Sequence, residues 1–148
     1  MTSSPALLAF WTEHRNQMRQ SETQRATLTN YILALTAALS GFIVQQDFGS
    51  GTWPLALFIG LCGLYGALAA AKYHERANYH LAQARELTRI LVAAGELPDI
   101  DAQLDDARLA HNSRFPRLVR VPLHRLWTVL HLAIALYGVI LLSVIVIR

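Results

Sequence analysis

Three stretches without a single charged side chain constrain this chain more than anything else in it: residues 28–44, 53–71 and 126–147. They are 17, 19 and 22 residues long, and a helix needs about 20 apolar residues to cross a bilayer's hydrocarbon core. A water-soluble fold would have to bury all three on every side. A chain of 148 residues has too little interior for that, because most helices of a small domain face water. Composition agrees, with 53% hydrophobic residues, 16% charged and a mean hydropathy of +0.30. The expected class is all-α: an integral membrane protein of three transmembrane helices with cytoplasmic helical extensions. The first apolar run begins late and follows a polar segment, so a cleavable leader is not expected.

Basic residues near helix ends stay on the cytoplasmic side. Arg15, Arg19 and Arg25 precede the first run, and Lys72, Arg76, Arg85, Arg89, Arg108, Arg114, Arg117, Arg120 and Arg125 lie between the second and third. The link 45–52 has none, which leaves only Arg148 of the 13 basic residues on the other side. The expected topology is multi-pass, amino terminus in the cytoplasm and carboxyl terminus outside.

Four segments follow: an amphipathic cytoplasmic helix over 1–25, a transmembrane hairpin over 26–71, a cytoplasmic helical region over 72–121 and a third transmembrane helix over 122–148. Ser3, Ser4 and Pro5 suit a helix start, after which Leu7, Trp11, His14, Met18 and Arg25 share one face. The glycines and serine of 45–52 suit a tight turn. Trp53 and Pro54 open the second span, and the helix is expected to run on past Lys72 through Ala77, Leu81, Ala84, Thr88 and Leu91 until Gly95 and Pro98 stop it. Asp99 is placed to cap a short helix ending near Phe115-Pro116, and Pro122 to begin the last one.

Small residues dominate the first two spans. Thr29, Thr36 and Ser40 form a mildly polar stripe, read as a helix contact or a water-facing lining. Gly60, Gly63 and Ala67 belong to a second stripe, in which Gly63-x-x-x-Ala67-x-x-x-Ala71 makes a groove for close helix approach. The run Gly60-Leu61-Cys62-Gly63-Leu64-Tyr65-Gly66 follows no strand, so it is no phosphate loop. His124 and His131, seven apart on the last span, are a candidate gate or a polar contact to another helix. His74 and His80 are six apart, which disfavours a metal pair. Asp99, Asp101, Asp105 and Asp106 lack the glycine and closing Glu of a calcium loop. The arginines at 114–125 fit positive-inside retention and anionic lipid better than nucleic acid. Lone Cys62 reads as packing. Neither enzyme chemistry nor a cofactor is expected.

The order of the segments resembles the SLATT superfamily of bacterial membrane effectors. The likeness rests on His14-Arg15-Asn16-Gln17-Met18-Arg19-Gln20-Ser21, the hairpin 28–71, and Tyr73-His74-Glu75-Arg76-Ala77-Asn78-Tyr79-His80-Leu81-Ala82-Gln83-Ala84-Arg85. It implies a pore-forming effector of anti-phage defence that homo-oligomerises in the lipid bilayer of a bacterial inner membrane when a cytoplasmic sensor encoded nearby triggers it. It stops before the third span and brings no residue-level site.

Overall fold

The structure, a computed structural model, describes residues 4–147; Ser3 and Arg148, assigned above to a helix cap and the outer tail, lie outside them. Four helices account for nearly all of this: α1 (Ser4–Gln45), α2 (Trp53–Ala93), α3 (Asp101–Arg114) and α4 (Leu123–Ile147), with short 3-10 turns at Ser50–Thr52 and Leu118–Arg120. No strand occurs among the described residues. Three of the helices, α1, α2 and α4, are long and apolar enough to cross a membrane. The first two each carry the apolar run and its polar flank in one unbroken helix, because no proline or glycine falls between Pro5 and Gly41 or between Gly66 and Gly95.

Both long helices end in the same way. Phe48 N–H donates to the Ile43 carbonyl at 3.1 Å and Asp47 N–H to Val44 at 3.0 Å, the paired bonds of a Schellman turn. Asp47 takes φ 48° and Phe48 φ 56°, a region that costs a bulky residue about 1 kcal/mol. Phe48 is held there by packing on the core around fully buried Ile43. At the end of α2, Glu96 N–H donates to Leu91 and Gly95 N–H to Val92, both at 2.9 Å, with Gly95 at φ 74°. α3 begins one residue later than the aspartate cap implies: its N-cap is Ile100, and Asp99 instead accepts the Asp101 N–H at 3.1 Å.

The chain divides into two compact units. The apolar unit joins 23–73 to 123–148. In it, Ile32 and Ile43 of α1, Ala56 and Ile59 of α2, and Ile134, Leu141 and Ile145 of α4 form one core. At 1.5 Å per residue its three helical segments are each roughly 30 to 37 Å long, matching the hydrocarbon thickness.

The polar unit joins the start of α1, as far as Glu22, to 74–122. Ala77, Ala84 and Leu91 are its buried α2 positions, seven apart, the interval that returns a residue to one face of paired helices. Facing α1 positions are Leu7, Trp11, His14 and Met18, half-buried, and Ser21, buried. Small alanines opposite large side chains let the helices approach. α3 buries nothing.

Candidate functional site

In the apolar unit α2 and α4 meet backbone to backbone, and glycines make this approach possible. A Cβ on Gly63 would stand 2.7 Å from Ala135 Cα and 2.8 Å from the His131 carbonyl oxygen, and one on Gly138 would stand 2.6 Å from Gly60 Cα. These are backbone atoms that cannot turn aside. A Cβ on Gly66 would collide with the Nδ1 edge of the His131 ring. The contact line on α2 is therefore Ala56, Gly60, Gly63 and Gly66, at steps of four, three and three. The groove through Gly63, Ala67 and Ala71 is only partly used, since Ala67 is buried but Ala71 is exposed. Steps of three and four keep these positions near one face of α2, and His131, Ala135 and Gly138 lie along it on α4.

The glycines make room for a buried polar layer. His131, 1% exposed, has its Nε2 3.0 Å from Thr29 Oγ1, which is also 1% exposed. The Thr29 hydroxyl has one proton, and its 3.0 Å bond to the Arg25 carbonyl uses it. The hydroxyl therefore accepts from His131, and the ring carries its proton on Nε2. That leaves the Nδ1 lone pair against Gly66 without a donor.

One turn away on each helix, the Arg25 guanidinium lies 5.4 Å from the centre of the Trp127 ring, a cation–π arrangement. Arg25 is 7% exposed. Its Nε and the Trp127 Nε1 are both buried without a partner.

Of the other residues singled out in the sequence, Thr36 and Ser40 are half-buried. Ser40 donates to the Thr36 carbonyl at 2.7 Å, while the Thr36 hydroxyl has no partner. Gly60, Gly63 and Ala67 are buried against the rest of the unit. His124 is half-buried, and its carbonyl accepts from Thr128 at 3.2 Å. Sequence reasoning passed over Arg25 as a topology marker and Trp127 as an interface anchor. The signal available was their four-residue offset from Thr29 and His131.

The polar unit holds a second constellation, tied across α1 and α2. Trp11 Nε1 donates to Thr88 Oγ1 at 2.9 Å, and Arg76 donates to Gln17 Oε1 at 3.1 Å. Between them the Nδ1 atoms of His14 and His80 stand 3.1 Å apart, so one ring donates and the other accepts. The histidine pairing runs between helices, a partner that the spacing of His74 and His80 along α2 did not reveal. No group of three or more metal-ligating side chains occurs among the described residues.

Comparison with protein-family models, with curated proteins and with solved structures finds no match. The chain's own geometry therefore carries the functional reading.

Burial, then the charges of His14 and Arg76, hold the His80 imidazole below its ordinary value, with Glu13 opposing. The folded state thus disfavours protonated His80. Its contribution is fully present above the unfolded value near 6.5 and is lost as pH falls below it. A doubly protonated pair also has no acceptor. Melting in detergent should show the full-length protein less stable at pH 5.5 than at 7.5, with His80→Gln flattening the difference. An equal pH dependence in that variant would show that other groups set it.

Proposed function

We propose that this chain is an oligomeric, channel-like membrane protein whose copies meet through the outer face of α1. The observation that carries this reading is a stripe opposite the core: Asn30, Ala34, Ala37 and Gly41 are all exposed at steps of four, three and four. The Asn30 amide has no hydrogen-bond partner among the described residues, and nothing lies within 4 Å of a Cβ built on Gly41. In hydrocarbon an unpartnered amide is costly, and small residues in register let another helix come close enough to satisfy it. Three helices are too few to enclose a conduit, so several copies are required. Thr29 is spent on His131, which leaves Asn30 with half-buried Thr36 and Ser40 as the polar surface near a water path.

The amino terminus is cytoplasmic on the strength of the basic residues, and the SLATT-like order makes the membrane a bacterial inner membrane. The SLATT-like order of 14–85 supplies the setting: a non-enzymatic pore-forming effector of anti-phage defence, released by a cytoplasmic sensor protein. Liposomes containing the protein should leak ions or small dyes. Gly41→Ile should lower both leak and oligomer yield several-fold, whereas Leu61→Ile, at a position 52% exposed on α2, should change neither. No leak, with or without the product of a neighbouring gene, would overturn the reading.

One observation favours a second reading, a non-conducting adaptor that anchors a helical interaction module. α3 has no buried residue, and Leu104 and Leu109 are 57% and 64% exposed, as in a helix awaiting a partner. Under that reading, unrelated spans in place of the native ones preserve activity.

A further inference from the structure

Arg25 presents a problem of charge that the apolar unit does not solve. Its side chain is 7% exposed, its Nε has no partner, and it makes no ion pair among the described residues. Asp47 is the unit's sole carboxylate, and it lies about 30 Å away along α1. A buried guanidinium facing only an aromatic ring keeps most of its desolvation cost. Trp127 adds a second unsatisfied group of the same polarity, since its buried Nε1 can only donate. Thr29 and His131 close the next turn by bonding to each other. Two donors on facing helices are thus left without an acceptor, since the unpaired His131 Nδ1 lies a turn away against Gly66, and what satisfies such a pair is an anion with several oxygens. Arg25 precedes the apolar run 28–44 by three residues, the depth of lipid headgroups rather than of acyl chains. Lys72 and Arg125 are the unit's other described basic residues, and both stand within two residues of the ends of their own apolar runs.

We propose that Arg25 and Trp127 form a binding site for one phosphate group, the guanidinium supplying charge and two or more donors, the indole N–H a further one. The phosphate is that of an anionic phospholipid headgroup or a free oxyanion. The site does not depend on oligomerisation or conduction, because both residues belong to one chain.

Native mass spectrometry of the full-length protein in mild detergent tests this, with phosphatidylglycerol, phosphatidylcholine and inorganic phosphate as probes. The wild type should retain one phosphatidylglycerol in preference to phosphatidylcholine. Arg25→Met should weaken that retention about tenfold and Trp127→Phe, which keeps an aromatic ring, roughly threefold, the scale of charge-assisted hydrogen bonds. Arg125→Met, removing an exposed charge, should stay within twofold. If Arg25→Met does not fold, Arg25→Lys and Trp127→Phe carry the test, both expected to fall below wild type. Displacement of the lipid by millimolar inorganic phosphate identifies a free oxyanion as the ligand, and its failure to displace identifies the lipid. Equal losses for Arg25→Met and Arg125→Met, or unchanged retention in both Arg25→Lys and Trp127→Phe, would show diffuse surface attraction and overturn the site.

Discussion

Gly63→Ile should prevent the apolar unit from forming its native three-helix packing. The first added carbon already meets Ala135 Cα at 2.7 Å and the His131 carbonyl at 2.8 Å, so α4 must move as a body. Overpacking a well-packed interior costs about 1 to 3 kcal/mol when side chains can yield, and here the obstacle is backbone. A loss of about 3 kcal/mol or more is expected, a large fraction of the stability of a small domain. Gly41→Ile adds the same atoms where nothing lies within 4 Å and should leave the monomer's fold intact. The readout is the fraction of monodisperse protein surviving a temperature ramp in detergent. The contrast between two identical substitutions separates internal packing from helix propensity, which is the same at both positions. Similar survival of the two variants would mean that α4 does not lie on Gly63.

How much of this could be read from the residues depends on the range of the interaction. Helix existence and extent follow from local chemistry: charge-free runs of span length, no breaker between Pro5 and Gly41, and glycine at 95 where the chain needs a positive φ. Asp47 and Phe48 show the limit, since nothing local marks a phenylalanine for φ 56°. Only its packing on the core around Ile43 holds it there. The small-residue stripe of α2 was legible as a packing surface, but its partner was not. Gly63 suits another copy and the chain's own α4 equally well, and only the fold shows that α4 takes it. Pairings such as Thr29 with His131, 102 positions apart, lie beyond any periodicity argument. What periodicity did offer was a face of α4 carrying His124 and His131, and His131 lies against α2 together with Ala135 and Gly138.

The second large effect concerns that pairing, and its sign depends on which partner is removed. Thr29→Val strands the His131 Nε2 proton in an apolar interior, where the whole desolvation cost of the donor remains. His131→Leu is different. The Thr29 hydroxyl still donates to the Arg25 carbonyl at 3.0 Å, so no buried donor is orphaned, and leucine fills a comparable volume beside Gly66. Thr29→Val should therefore cost about 2 kcal/mol and His131→Leu less than half of that. The double variant should be no worse than Thr29→Val alone, a coupling of about 1 kcal/mol visible in a double-mutant cycle. Thermal unfolding of the full-length protein in one detergent supplies all four values. Additive losses would mean the hydroxyl and the imidazole are not bonded. A larger loss for His131→Leu would mean that the ring's packing against α2, rather than its hydrogen bond, holds the layer together.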